Sequence, residues 1–280
     1  MIVVAGARGM LGRDLLGLFG ERAQGTFRDD MDITCCSSVS KTLKRLKPGV
    51  VINAIAYTDV DGCEANRDLA FRVNGDGVRN LAEVTAELGA KLVQVSSDYV
   101  FDGKGDAPLR EDAPVNPISV YGSSKLAGEE YARMNPDHLI VRTQWLYGLH
   151  GGNFVETMLR VGLERDEVSV VNDQIGSPTW TFDLALAIDS LIAKDCSGTY
   201  HAANSGSCSW HGFAEAIFHE SGMKTRVKPI TTDELGRPAP RPLFSVLDCS
   251  KMEKDTGHRL EGWREALKKY LLRRSSHGNG

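Results

Sequence analysis

Residues 1–12 read MIVVAGARGMLG, a short apolar run followed by glycines at positions 6, 9 and 12. The run Met1–Ala5 is typical of a strand buried in a parallel sheet, and the apolar residues of 13–19 recur with a helical period. In such a loop the first glycine permits a tight turn, the second lets the backbone approach a pyrophosphate, and the third allows close helix packing. Free N–H groups at the helix start then attract phosphate. The stretch therefore predicts a dinucleotide-binding βα unit built on Gly6, Gly9 and Gly12.

Strand and helix patterns alternate from this unit to about residue 148. The predicted strands are 1–5, 25–27, 50–54, 91–97 and 138–142. The predicted helices are 13–19, 39–46, 68–88 and 119–134. This rhythm implies right-handed βαβ crossovers and a parallel sheet. The predicted fold class is therefore α/β, with a Rossmann-type, doubly wound parallel sheet.

The rhythm loosens beyond residue 148. Helices are predicted at 154–165, 181–194, 210–221 and 263–272, extended segments at 168–171 and 199–202, and a Pro- and Arg-rich loop at 232–244. We therefore predict a cofactor-binding domain at 1–148 and a smaller C-terminal α/β substrate-binding lobe mainly at 149–272, with segments able to return to the first domain. Residues 273–280 are polar and predict a disordered tail.

The bulk composition excludes several classes of protein. The chain is 41% hydrophobic and 25% charged with a net charge of −4, whereas a nucleic-acid binder usually carries a basic stripe. No segment approaches the roughly 20 apolar residues that span a bilayer, and no signal-peptide pattern precedes the first strand. We therefore expect a cytoplasmic protein with no nucleic-acid or membrane partner. The six cysteines form no C-x-x-C pair, so we expect reduced thiols and no metal site.

The end of the second predicted strand bears on the choice of cofactor. An acidic residue there binds the ribose 2′-hydroxyl of NAD, whereas a basic residue accommodates the 2′-phosphate of NADP. Residues 27–30 read FRDD and offer both kinds. Counting places Arg28 at the selecting position, with Arg8 able to assist. The sequence therefore favours NADPH and leaves NADH open.

Tyr121 and Lys125 are four residues apart on a predicted helix and therefore share one face. A tyrosine hydroxyl has a pKa near 10, and a neighbouring ammonium lowers that pKa. Lys125 is therefore expected to tune Tyr121 as a general acid while also binding the nicotinamide ribose. Ser96 and Ser97 end a buried strand, at the edge where doubly wound sheets bind ligands. Either hydroxyl could hold a substrate carbonyl.

Longer segments carry a family resemblance. Residues 117–129, PISVYGSSKLAGE, are similar to the active-site helix of the extended short-chain dehydrogenase/reductase superfamily. Further segments resemble the dTDP-4-dehydrorhamnose reductase family: NAIAYTDVD at 53–61, SDYVFDG at 97–103, RTQWLY at 142–147, NFVETML at 153–159, VNDQIGSPT at 171–179, WHGFA at 210–214 and RP at 241–242. The resemblance covers most of the chain.

The resemblance implies a role for individual residues. Ser97 matches the catalytic Ser or Thr, Tyr121 would donate a proton and Lys125 would support it. The implied cofactor contacts, together with the loop and selector residues, are Gly6, Arg8, Gly9, Met10, Leu11, Gly12, Arg28, Asp32, Ile33, Ala54, Ala56, Tyr57, Thr58, Tyr121 and Lys125. The implied substrate contacts are Ser97, Asp98, Tyr121, Trp145, Asn153 and Arg241. Arg241 would bind a diphosphate, because guanidinium groups bind phosphate oxygens bidentately.

The implied reaction is reduction of dTDP-4-dehydro-L-rhamnose, a nucleotide-linked 4-keto-6-deoxy sugar, to dTDP-L-rhamnose with NADPH. A homodimer is left open. Gln144 replaces the usual serine before Trp145, and Arg28 stands where some members carry an acid. Either departure could shift cofactor or substrate preference without changing the reaction type.

Two other functions stay open at this point. One is a nucleotide-sugar epimerase or dehydratase; a dehydratase usually needs an acidic pair after the catalytic hydroxyl, and Asp98 is not followed by Glu. The other is a regulatory role, because a relative of the family serves as an NADP-binding subunit of methionine adenosyltransferase. An intact set of Ser97, Tyr121 and Lys125 does not exclude that role.

Overall fold

The structure is a computed structural model and describes residues 1–277. The first half contains β1 (Ile2–Ala5), α1 (Met10–Phe19), β2 (Ala23–Thr26), α2 (Cys36–Leu46), β3 (Val50–Asn53), α3 (Val60–Ala65), α4 (Arg67–Phe71), α5 (Gly77–Leu88), β4 (Lys91–Ser97), α6 (Val120–Ala132) and β5 (His138–Thr143). The second half contains β6 (Leu146–Tyr147), α7 (Phe154–Glu164), β7 (Glu167–Val171), β8 (Ile175–Gly176), β9 (Thr179–Trp180), α8 (Thr181–Ala193), β10 (Gly198–His201), β11 (Cys208–Ser209), α9 (Trp210–Glu220), β12 (Arg226–Ile230), α10 (Thr232–Leu235), α11 (Ser250–Thr256) and α12 (Trp263–His277).

Six strands form the main sheet in the order β2-β1-β3-β4-β5-β10. Every neighbouring pair in it is parallel, which confirms the predicted doubly wound, Rossmann-type architecture. The order reverses beside β1, because β2 lies on one side of it and β3 on the other. Ligands of such sheets bind beyond the carboxyl ends of the strands at this reversal.

The side chains of the strands alternate between two cores, as the period of two requires. One core contains Val4, Ile52, Val93 and Val141 together with residues of α1 and α8. The opposite core contains Val3, Val51, Leu92 and Ile140 together with residues of α2 and α5. Because the central strands are buried on both faces, β1 is a continuous apolar run and β3 is apolar up to Asn53.

The C-terminal lobe has its own core, built from α7, β7, α9 and α12 around Tyr147, Phe213 and Tyr270. The chain nevertheless leaves this lobe more than once, since α11 packs on β10 and α8 and its Met252 lies in the core that contains Val4. The segment Thr181–His201 returns to the first domain, where α8 packs on α1 and β10 pairs with β5. The first domain therefore includes residues well beyond 148.

The structure differs from the predicted C-terminal tail. Helix α12 continues through His277, and Arg274 donates to Glu156 at 2.6 and 2.9 Å, so helical structure and an ion pair occupy part of the segment expected to be disordered. The remaining predicted tail, 278–280, lies outside the described residues.

The predicted helix 68–88 is interrupted by a π-helical turn, Arg72–Asp76. This turn places the buried Asn74 side chain on the backbone of Tyr57, accepting from its N–H at 2.8 Å and donating to its carbonyl at 3.1 Å. Asn74 also donates to the Ser124 hydroxyl at 2.9 Å. Such turns often occur at functional sites. Here the turn ties the segment after β3 to helix α6.

Several elements escaped the sequence patterns: β12 and α10, the helices α3 and α11, and the short strands β6, β8, β9 and β11. Strand β12 pairs with β7 but is mostly exposed and contains Pro229, so it lacks the apolar alternation of a strand. The short helix α10 lies inside the predicted loop 232–244 and is held by a capping box between Thr231 and Glu234.

Candidate active site

The glycine loop has the geometry that its spacing predicted. Gly6 has a φ of +86°, which a residue with a side chain rarely adopts. A Cβ on Gly12 would lie 2.2 Å from the carbonyl oxygen of Gly6, so only glycine lets α1 start this close to β1. No side chain caps the start of α1 at Gly9. The first N–H groups of α1 are therefore available to an anion.

A first cavity of about 350 Å³ lies beside this loop. Six of the predicted cofactor residues line it: Gly6, Arg8, Gly9, Arg28, Asp32 and Ile33. The Arg8 guanidinium lies 4.5 Å from the centre of the Phe27 ring. Asp32 accepts from the N–H and hydroxyl of Thr34, and these bonds lower the pKa of its carboxyl. The sequence missed Arg72, which adds a third guanidinium to this cavity.

A second cavity of about 480 Å³ follows at the ends of β3, β4 and β5. It is lined by the predicted residues Gly9, Met10, Leu11, Ala54, Ala56, Thr58, Ser97, Asp98, Tyr121, Lys125 and Trp145. The first and second cavities share Gly9 and Ile55, so they are continuous along the sheet edge. The structure thus brings the three predicted catalytic side chains into one cavity beside the glycine loop.

Local packing fixes the position of helix α6, which carries Tyr121 and Lys125. Ser119 caps α6 by accepting from the N–H of Gly122 at 3.1 Å. A Cβ on Gly122 would lie 2.2 Å from the carbonyl oxygen of Tyr99, so glycine lets α6 approach the turn after β4. This approach brings the Tyr121 hydroxyl within hydrogen-bonding reach of Ser97.

The electrostatics of Tyr121 differ from the expectation that Lys125 lowers its pKa. Burial raises the pKa of Tyr121 well above its usual value, and the negative charge of Asp98 adds to the shift, while the Ser97 hydrogen bond opposes it. The Lys125 ammonium donates instead to the carbonyl oxygen of Val95 at 2.7 Å. Tyr121 is consequently a protonated phenol at neutral pH.

Burial shifts the pKa values of both Asp98 and Lys125 in the direction that favours their uncharged forms. Burial raises the pKa of Asp98 to about 6, although the hydrogen bond from Ser97 opposes the shift. The Ser97 hydroxyl donates to Asp98 at 2.8 Å. Burial also lowers the pKa of Lys125 to about 8, and the nearby charge of Glu129 opposes that shift. Perturbed groups that share a cavity are typical of a catalytic site.

Glu129 supports this site from the next turn of α6. Its buried carboxylate accepts from Arg142 at two distances of 2.8 Å and from the Ser96 hydroxyl at 2.7 Å. The sequence did not identify Glu129 because an isolated Glu on a helix resembles a solvated residue.

A third cavity of about 460 Å³ continues from the second toward the C-terminal lobe. The two share Thr58, Val60, Tyr99 and Trp210. Trp210 stacks on Trp145 with ring centres 3.7 Å apart. Trp145 has a φ of +49°, a strained conformation for a residue with a side chain and one that often marks functional sites. Arg237 and Arg241 line the far side of this cavity.

Three predicted contacts are placed differently. Asn153 caps α7, accepting from Glu156 N–H at 3.1 Å and donating to the Gly148 carbonyl at 2.8 Å, and it lines none of the three cavities. Tyr57 and Gly12 also lie outside the lining of these cavities, although Gly12 is needed for the loop to close. Arg241 does line the third cavity, where it forms an ion pair with Asp61.

Two further features concern metals and membranes. Within residues 1–277, no group of three or more His, Cys, Asp or Glu side chains is placed to hold a metal ion. None of the helices in that range is long and apolar enough to cross a membrane.

Comparison with known proteins shows which family the chain belongs to. The model of the RmlD substrate binding domain matches residues 1–275. The spore coat polysaccharide biosynthesis protein SpsK of Bacillus subtilis is 44% identical over 279 residues, covering 98% of each chain. The dTDP-4-dehydrorhamnose reductase of Streptomyces griseus is 44% identical over 276 residues, covering 95% of this chain and 91% of that protein. The crystal structure of dTDP-4-dehydrorhamnose reductase from Bacillus anthracis in complex with NADP has a TM-score of 0.95 at 40% identity, covering 97% of this chain and 98% of that one. As its motifs predicted, the chain therefore belongs to the RmlD substrate binding domain family and is an oxidoreductase.

Proposed function

We propose that this chain uses NADPH to reduce a nucleotide-linked 4-keto-6-deoxy sugar, and that dTDP-4-dehydro-L-rhamnose is its substrate. One observation carries the proposal. The hydroxyls of Ser97 and Tyr121 and the ammonium of Lys125 line a cavity that joins a glycine-loop cavity on one side and an arginine-lined cavity on the other. This order fits a cofactor, a reacting carbonyl and a diphosphate placed along one edge of the sheet.

The first cavity fits the NADP type of cofactor. Glycine is required where the loop closes on α1, and the Thr26 hydroxyl in the cavity lining is buried without a hydrogen-bond partner among the described residues. Arg8, Arg28 and Arg72 supply positive charge for a 2′-phosphate. When bound, NADPH supplies the hydride for reduction of the carbonyl carbon.

The residues of the second cavity handle the proton. Because burial keeps Tyr121 protonated at neutral pH, its hydroxyl can donate to the alkoxide that develops on the substrate. The Ser97 hydroxyl lies within reach of Tyr121 and, by turning its one proton from Asp98, can donate a second hydrogen bond to the same oxygen. Lys125, with a pKa of about 8, remains mostly charged at neutral pH and stabilises negative charge beside Tyr121.

The third cavity accommodates the rest of the substrate. Arg237 and Arg241 provide charge for a diphosphate, and Phe154 and Trp210 provide aromatic surface for a base. The relatives named as dTDP-4-dehydrorhamnose reductases support thymidine diphosphate as the nucleotide part of the substrate.

A spectrophotometric assay tests this function. The chain would be mixed with NADPH or NADH and with dTDP-4-dehydro-L-rhamnose generated in situ, and absorbance of the reduced cofactor followed. We expect net, stoichiometric oxidation that is faster with NADPH. Product formation without net oxidation would indicate an epimerase or dehydratase that regenerates its cofactor. NADP binding without any turnover would contradict the proposed function and favour a regulatory role.

A further inference from the structure

Asp61 joins two parts of the site that are far apart in the sequence. It lies in α3, directly after the segment that lines the second cavity, and its carboxylate accepts both terminal nitrogens of Arg241. Nη1 donates to Oδ1 at 3.0 Å and Nη2 to Oδ2 at 2.9 Å. Asp61 also accepts from the Ala239 N–H at 3.1 Å and from Arg237 at 3.3 Å. One carboxylate therefore holds the loop that carries both cavity arginines.

The contacts define which edge of the Arg241 guanidinium is engaged. A guanidinium has five N–H donors in a rigid fork. Nη1 uses its two protons on Asp61 and on the Ala239 carbonyl oxygen at 2.6 Å, and Nη2 uses one on Asp61. The second Nη2 proton and the Nε proton form the other edge. Two parallel donors on one edge match two phosphate oxygens.

The Arg241 side chain lies on the substrate side of the site. The Arg241 side chain is only 15% exposed, and it lines the third cavity together with Tyr99. Arg241 lies close enough to Tyr99 to oppose the burial that raises the pKa of the Tyr99 hydroxyl. The Tyr99 ring centre is 5.2 Å from that of Tyr121. Arg241 is thus one aromatic ring away from the proton donor.

We propose that Asp61 is a positioning residue: by holding the terminal edge of Arg241, it fixes the Nε–Nη2 edge to receive the diphosphate of the nucleotide substrate. This inference rests on the proposed function, which supplies the diphosphate. A partly buried arginine without this carboxylate would lose its orientation and its counter-charge. Asp61 lines the third cavity with Arg241 and does not line the second cavity, so its role concerns binding and not proton transfer.

The negative charge of Asp61 would also repel a diphosphate. Whether removal of that charge tightens or weakens nucleotide binding therefore tests the proposal. Arg241 holds the pKa of Asp61 below its usual value through their hydrogen bond, so the carboxylate is charged at neutral pH. Repulsion alone predicts that removing this charge tightens nucleotide binding. Positioning predicts that the removal weakens binding, because the orienting partner of the guanidinium is lost.

The experiment is a double-mutant cycle in the full chain saturated with NADPH. Calorimetry would measure the Kd of dTDP and of inorganic pyrophosphate for wild type, Asp61→Asn, Arg241→Ala and the double variant. We expect Asp61→Asn to weaken dTDP binding about tenfold, which is the order of one charge-assisted hydrogen bond. In the Arg241→Ala background the same change should alter Kd less than about twofold, because the residue acts through Arg241.

Turnover and a matched control separate this role from a structural one. We expect the KM for the sugar nucleotide to rise about tenfold, with kcat and the Kd of NADPH within about twofold of wild type. Asp68→Asn removes the same charge from an exposed position in α4 and should leave KM, kcat and the Kd values of NADPH, dTDP and pyrophosphate unchanged. Should Asp61→Asn fold poorly, Asp61→Glu keeps the charge and should stay within about threefold of the wild-type Kd.

The results that overturn the proposal are distinct from those that overturn the proposed function. Three results would show that Asp61 does not position Arg241 for phosphate. Asp61→Asn could weaken dTDP binding equally in the wild-type and Arg241→Ala backgrounds, leave the Kd unchanged, or tighten binding. A wild-type chain that reduces no dTDP-linked sugar but binds pyrophosphate would remove the proposed substrate. In that case the double-mutant cycle measured with pyrophosphate would still decide the role of Asp61. If the wild-type chain bound neither dTDP nor pyrophosphate, the proposed role of Asp61 would be overturned.

Discussion

Replacing Glu129 with glutamine should destabilise the fold and disturb the active site at once. Glu129 is fully buried and Arg142 is 3% exposed, and two bonds of 2.8 Å join them. The variant leaves a buried guanidinium without a counter-charge, which costs about 3–5 kcal/mol when a partner is removed. We expect the lower end, about 3 kcal/mol, because the amide keeps an oxygen acceptor. At about 2–4 °C per kcal/mol, the melting temperature should fall by about 6–12 °C.

The same variant has a second readout in the pH dependence of activity. Because Glu129 opposes the burial that lowers the pKa of Lys125, its neutralisation should bring that pKa below about 8. The loss of activity at high pH that follows Lys125 deprotonation should then begin at lower pH. The pKa of Glu129 itself is lowered in the fold from 4.5, mainly by Arg142 against burial. Its contribution to stability is therefore full above about pH 4.5 and lost as pH falls through the lowered pKa.

Thermal and urea unfolding would measure the effect, with Glu130→Gln as the control. Glu130 is the exposed neighbour on the same helix, and its change should stay within about 0.5 kcal/mol of wild type. The reasoning would be refuted if Glu129→Gln unfolded like Glu130→Gln, because the buried ion pair would then contribute nothing to folding.

Three further outcomes follow from the site. Tyr121→Phe should lower kcat by about 100- to 10,000-fold while the Kd of NADPH is unchanged, and near-normal turnover in stopped-flow measurements would assign the proton to another group. Gly12→Ala should weaken NADPH binding at least about tenfold in a fluorescence titration and destabilise the chain by about 1–3 kcal/mol, because its Cβ would overlap the Gly6 carbonyl. Gly17→Ala, where a Cβ meets nothing within 4 Å on the same helix, is the control and should be neutral or stabilising. Arg28→Ala should weaken NADPH binding about tenfold and leave NADH binding unchanged, and equal losses for both cofactors would rule out a 2′-phosphate contact.

The central sheet and the meeting of Ser97, Tyr121 and Lys125 in one cavity could be predicted because their signals are mostly local. Strands such as Val50–Asn53 are apolar on both faces, and the glycine spacing reports a contact between residues six positions apart. Tyr121 and Lys125 share a helix face, so their spacing alone places them together. The rule that ligands bind at strand ends indicated Ser96 and Ser97 equally, and the family resemblance was needed to choose Ser97.

The rest depends on long-range contacts that no local pattern encodes. Asp61 and Arg241 are 180 positions apart, and only the fold brings them together. Arg72 reaches the first cavity from the segment that was predicted as a regular helix but contains a π-helical turn. Similarly, the pKa of Tyr121 is governed by burial and by Asp98, neither of which the Tyr-x-x-x-Lys spacing reports.

Transfer of an isotope from the cofactor tests the proposed reaction most directly. The chain would be incubated with dTDP-4-dehydro-L-rhamnose and NADPH that carries deuterium at the transferable position of the nicotinamide, and the product analysed by NMR. The account predicts one deuterium at C4 of a dTDP-L-rhamnose product and one NADP formed per sugar. A product that lacks deuterium at C4, or a reaction in which no NADPH is oxidised, would contradict the account.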